Sequence, residues 1–86
     1  LSLNGVNDMI KLQVLGSGCA KCATLALNAD VAARSLALEY ELEKVTDINA
    51  IIDAGVMSTP ALAIDGEVKS VGRVLSVAEI KQLLTA

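Results

Sequence analysis

Apolar and polar residues alternate from Met9 to Leu15, with Ile10, Leu12 and Val14 on one side and Lys11 and Gln13 on the other, which predicts a strand. Gly16-Ser17-Gly18 breaks the alternation. From Cys22 to about Leu36 the period becomes helical: Leu25, Ala29, Ala32 and Leu36 recur at i, i+4, i+7 and i+11, and the many alanines favour helix and allow close packing on a sheet. Alternation returns over Tyr40 to Val45. Thr46 or Asp47 is placed to cap a short helix that carries Ile48, Ile51 and Ile52 on one face and stops at Gly55. Ala61 to Ile64 and Glu67 to Val71 flank Asp65-Gly66, a pair that favours a two-residue hairpin because both central turn positions need positive φ. Ser76 and Glu79 have the spacing of a capping box, Leu75 and Ile80 that of a hydrophobic staple, and Ile80, Leu83 and Leu84 form the inner face of a last helix.

The predicted order is β-α-β-α-β-β-α. A β-α-β start places its two strands parallel with the helix on one face of the sheet, and the Asp-Gly turn makes the last two strands antiparallel. The fold class is therefore α/β, with a central four-stranded mixed sheet and helices on both faces. Leu1 to Asp8 show neither periodicity nor a cap, so the folded domain is expected to span residues 9–86. Residues 1–8 read as a tail, native or vector-derived, without the basic residue or apolar segment of a signal peptide.

Composition narrows the function. At 86 residues the chain is one domain, with Tyr40 its only aromatic ring, so many small aliphatic contacts must build the core. No apolar run approaches the ~20 residues that span a bilayer. A net charge of −3, with seven dispersed Lys and Arg residues, argues against nucleic acid as a partner.

The candidate chemistry lies in Cys19-Ala20-Lys21-Cys22, which holds both cysteines of the chain at a strand-to-helix junction. Unpaired N–H groups at a helix N-terminus favour a thiolate there. Cys19 falls at the N-cap and Cys22 one turn inside, which exposes the first sulfur and shelters the second. Cys19 is then the attacking thiol and Cys22 the resolving one, with the Lys21 charge favouring the Cys19 thiolate. A static disulfide across so short a loop would remove little chain entropy. Gly16 to Gly18, lacking the residues of a phosphate loop, leave room for a substrate backbone near Cys19. Thr59-Pro60, holding the only proline, precedes a strand, where a cis bond can be locked into a tight turn and leave an edge free for an extended peptide. Met57 reads as core filler.

Taken together, the first strand, Gly-Ser-Gly-Cys19-Ala-Lys-Cys22, Glu43 to Asp47, Gly55 to Leu62, Asp65-Gly66 and Gly72 resemble the thioredoxin superfamily, in particular its small glutaredoxin-like branch of redox-active disulfide proteins. The resemblance covers about Met9 to Leu84. It implies a minimal thioredoxin-like fold without the N-terminal strand and helix of the full one, redox-active Cys19 and Cys22, and Pro60 as a cis proline facing them. Departures are visible. The motif contains no aromatic residue or proline, the first strand has no acidic residue to assist the resolving thiol, and the chain has no histidine, so the base for Cys22 is unassigned.

A CxxC pair after Gly-Ser-Gly also resembles the loop of heavy-metal-associated domains, and two soft thiolates suit copper(I), or zinc with further ligands. That family has a β-α-β-β-α-β order and a methionine where this chain has Ser17. No second Cys or His pair completes a four-ligand site.

The expected function is a monomeric cytoplasmic dithiol–disulfide oxidoreductase that reduces client protein disulfides. Cys19 and Cys22 are its catalytic pair, Lys21 tunes the thiolate, and Gly18, Thr59 and Pro60 bind substrate. No metal or other cofactor is expected, and electrons return from a reductase or a small thiol. The alternative is a soft-metal binding or carrier domain.

Overall fold

The computed structural model describes residues 9–85, so the expected tail, residues 1–8, lies outside the described residues. The elements follow the expected order: β1 (Ile10–Leu15), α1 (Ala20–Ser35), β2 (Tyr40–Val45), α2 (Ile48–Asp53), β3 (Ala61–Ile64), β4 (Glu67–Val71) and α3 (Val77–Thr85). Among the described residues they form one four-stranded sheet in the order β2-β1-β3-β4. β1 and β2 are parallel from Ile10 opposite Tyr40 to Leu15 opposite Val45, a pairing that requires the crossover α1 supplies. β3 runs antiparallel to both of its neighbours.

Side-chain alternation divides the core in two. Leu12, Val14, Leu62 and Ile64 point to the face covered by α1 and α3, where they pack with Leu25, Ala29, Ala32, Leu75 and Ile80. Leu15, Ala61 and Ala63 point to the other face, beneath Ile51 and Val56. The central strand β3 is buried on both faces, which explains its unbroken apolar run. Ser70 stands opposite Leu62 and Val68 opposite Ala63, so Lys69 is an extra residue, a β-bulge that turns the strand over. Val68 accordingly packs on the α2 side, while Ser70 follows Leu62 to the α1/α3 side.

Several expectations hold in detail. Asp65 and Gly66 have φ of 52° and 85°, as a two-residue hairpin turn requires. The Ser76 N–H donates to Glu79 Oε1 at 3.0 Å and the Glu79 N–H donates to Ser76 Oγ at 3.1 Å, the two bonds of a capping box. Asp47 caps α2 by accepting from the Asn49 N–H, and Gly55 ends it at φ 80°. The Val56 N–H returns to the Ile51 carbonyl, closing a Schellman motif. α1 ends in the same way, but with Ala37 in the left-handed position at φ 57°.

Three expectations need correction. α1 begins at Ala20 rather than Cys22, because the Cys19 carbonyl already accepts the Ala23 N–H at 3.0 Å. Of the three isoleucines on α2 only Ile51 is buried; Ile48 and Ile52 are 67% and 63% exposed. A six-residue helix makes less than two turns, and the small Ala61 and Ala63 beneath it leave depth for one large side chain. Met57 is 93% exposed and fills no core, because the loop after Gly55 turns Val56 inward in its place.

Candidate active site

The site is built where β1 ends and α1 begins. Cys19 is the N-cap of α1, with extended backbone (φ −72°, ψ 178°), and is exposed. Cys22, three residues on, lies in the first helical turn and is buried against the α1/α3 core. Positions i and i+3 share a helix face, so the two free sulfurs approach to 3.5 Å.

The environment separates them further. The Cys19 thiol is lowered from its usual 9.0 to about 7, chiefly by the Cys22 backbone N–H, then by the Cys22 thiol, the Lys21 backbone N–H and the Ser17 hydroxyl, against a small opposing effect of desolvation. The unpaired amides of the first helical turn thus supply most of the effect, as expected where a thiolate sits at a helix N-terminus. Lys21 acts on Cys19 through its backbone N–H.

The loop before β3 closes the other side. Thr59-Pro60 is a cis peptide, and Pro60 is fully buried. A Cβ placed on Gly16 would overlap Cys22 Sγ and come within 3.5 Å of Thr59 Cβ, which locates Thr59 directly across from the buried sulfur. The Pro60 carbonyl accepts the Gly72 N–H at 2.8 Å, joining this loop to the end of β4. Among the described residues neither the N–H nor the C=O of Thr59 has a backbone partner, and Thr59 is exposed. Gly18, at φ 87°, borders open space.

Cys19, Cys22, Gly18, Thr59 and Pro60 therefore converge on one end of the sheet. Sequence reasoning missed the specific part of Gly16, whose lack of a side chain gives Cys22 its space, and that of Ser17, whose hydroxyl supports the Cys19 thiolate. It also missed Lys44 and Thr46, which line a cavity of about 60 Å³ beside Cys22. The signal for Lys44 lay in strand register: Lys44 stands opposite Val14, on the face that carries α1. Among the described residues no group of three or more His, Cys, Asp and Glu is placed to hold a metal ion.

A family model described as thioredoxin domain matches residues 10–85. The chain belongs to the thioredoxin family. It is 44% identical over 77 residues to a thioredoxin of Methanothermobacter thermautotrophicus, covering 90% of this chain and all of the relative. It is 37% identical over 79 residues to a thioredoxin of Methanocaldococcus jannaschii, covering 92% of this chain and 91% of that one. Among solved structures, thioredoxin-2 of the malaria parasite, described as a component of its protein secretion machinery, superposes with a TM-score of 0.69 at 16% identity, over 95% of this chain and 88% of that one. That likeness bears on the fold, which is a thioredoxin fold in the element order given above.

Membership of the thioredoxin family makes the protein a thiol–disulfide oxidoreductase, with the adjacent Cys19 and Cys22 as its CxxC pair. The β-α-β-α-β-β-α order differs from the β-α-β-β-α-β order of heavy-metal-associated domains, so the redox reading prevails over the metal-carrier alternative. No helix among the described residues is long and apolar enough to cross a membrane.

Proposed function

We propose that the protein reduces disulfides of client proteins in two steps, with Cys19 attacking and Cys22 resolving. The Cys19 thiolate attacks one client sulfur. A Cys19–client bond forms, the client disulfide breaks, and the first client thiolate leaves. Cys22 Sγ, after losing its proton to solvent, then attacks Cys19 Sγ. The Cys19–Cys22 disulfide forms and the second client thiolate departs. The client gains two electrons and the protein loses two, to be restored by a reductase or a small thiol. On this reading the thiol pair is the whole redox group, and the working compartment is a reducing cytoplasm.

The observation that carries the assignment is the inequality of the two thiols: Cys19 is exposed and lowered to about 7, while Cys22 is buried 3.5 Å away. The unpaired backbone of Thr59 supports a second element, capture of an extended client segment by main-chain hydrogen bonds in front of Cys19, with Gly18 leaving that approach open. Lys21 supports the Cys19 thiolate through its amide. The test is trapping. Cys22→Ser should accumulate client proteins as mixed disulfides on Cys19, and Cys19→Ser should accumulate none. Trapping by Cys19→Ser in place of Cys22→Ser would reverse the roles.

A further inference from the structure

We infer that Lys44 is a positioning residue for the second step, its ammonium group stabilising the negative charge that Cys22 must carry when it attacks the mixed disulfide. The inference rests on the reading of Cys22 as the resolving thiol. Cys22 is 5% exposed and packs in the apolar cluster with Val14, Leu25 and Ala26. A thiolate formed there has lost most of its water, which disfavours the charged form. The groups around it are few. α1 contributes Cys19, β1 and its end contribute Val14 and Gly16, the loop before β3 contributes Thr59, and β2 and its end contribute Lys44 and Thr46 across the shared cavity. Apart from Cys19, which is tied up in the mixed disulfide at that moment, Lys44 is the one ionisable side chain in this set. No carboxylate or imidazole takes part.

Strand geometry places Lys44 for the task and removes its competitors. It stands opposite Val14, and alternation along β2 sends Glu41 and Glu43 to the other face of the sheet. There Glu43 is engaged by Lys11 at 3.6 Å and by the Gln13 amide at 2.9 Å. Among the described residues Lys44 forms no ion pair, so its charge is not neutralised by its sequence neighbour. The step balances without a further reactant. The Cys22 proton passes to solvent, the Cys22–Cys19 bond forms, the Cys19–client bond breaks, and the client thiolate takes up a proton from solvent. Lys44 keeps its proton throughout.

The experiment follows both steps in one reaction. Reduced protein is mixed with an excess of a neutral dipyridyl disulfide in a stopped-flow instrument. Attack by Cys19 releases the first equivalent of thiopyridone and resolution by Cys22 the second. Lys44→Met should slow the second release by roughly tenfold near pH 7, the scale expected for loss of one nearby charge at an intermediate effective dielectric. The first release should change far less, the deficit should shrink as the pH is raised, and Lys44→Arg should recover most of the rate. A second release by Lys44→Met equal to that of the unaltered protein at every pH would overturn the proposal. So would an equal, pH-independent slowing of both releases, the mark of a merely structural role. Cys22→Ser separates this from the underlying assignment. If it abolishes the second release while Lys44→Met does not affect it, only the part given to Lys44 falls; if it leaves the second release intact, the resolving assignment falls and takes Lys44 with it.

Discussion

The two ends of the sheet solve opposite problems with similar means. At the end where β3 meets the start of β1, polar groups are tied down. Asp65 takes the Lys11 N–H on its carboxylate at 2.9 Å and returns its own N–H to the Lys11 carbonyl at 2.8 Å. The Tyr40 hydroxyl donates to Asp30, which also pairs with Arg34 at 3.3 Å. At the dithiol end the chain leaves groups unmet: the Thr59 backbone, the exposed Cys19 sulfur and the amides that hold its thiolate. Both ends rely on glycine, for different reasons. Gly66 is there for its φ of 85°, with nothing within 4 Å of where a side chain would be, whereas Gly16 is there because a side chain would occupy the place of the Cys22 sulfur. One end closes the fold and the other keeps it reactive.

Substituting the two glycines is the strongest way to break this contrast. Gly16→Ala forces its methyl against Cys22, and overpacking of this kind costs about 1–3 kcal/mol. It should also displace the buried sulfur, so disulfide reductase turnover should fall together with the denaturant midpoint. Gly66→Ala meets no atom and suffers only the left-handed backbone, about 1–2 kcal/mol. Its denaturation midpoint should drop while turnover of the remaining folded protein stays at the original value. Equal losses of turnover in the two variants would erase the distinction between the ends.

A smaller effect of opposite sign is expected at Ala37, which ends α1 at φ 57° in a position that glycine normally fills. Ala37→Gly relieves the left-handed strain and gives back part of it as unfolded-chain entropy, leaving a net gain of about 0.5–1 kcal/mol. Thermal unfolding should show a raised midpoint with unchanged exchange kinetics. A lowered midpoint would mean that the strain at this turn is negligible.

How much of this was legible in the residues depended on whether the cause was local. The Ser76–Glu79 capping box, the Asp65-Gly66 turn, the Asp47 cap and the strand alternation act over a few residues, and each appears where its pattern placed it. The position of Cys19 at a helix N-cap was readable for the same reason. What escaped was set by tertiary fit. The exposure of Ile48, Ile52 and Met57 follows from how little depth Ala61 and Ala63 leave beneath α2. The bulge at Lys69 exists only relative to β3. Lys44 comes to Cys22 through parallel pairing of strands thirty residues apart, which no local spacing encodes.

The central claim is that one thiol of the pair is exposed and ionised near neutrality while its neighbour is withheld. Site-resolved alkylation by limiting iodoacetamide, read by mass spectrometry from pH 5 to 10, tests it most directly. Because the Cys19 thiol is lowered from 9.0 to about 7, its labelling rate should rise through a midpoint near pH 7 and level off well below the range of an ordinary thiol. Cys22 should label more slowly than Cys19 throughout that rise. Labelling of Cys22 as fast as Cys19, or a Cys19 midpoint near 9, would contradict the account.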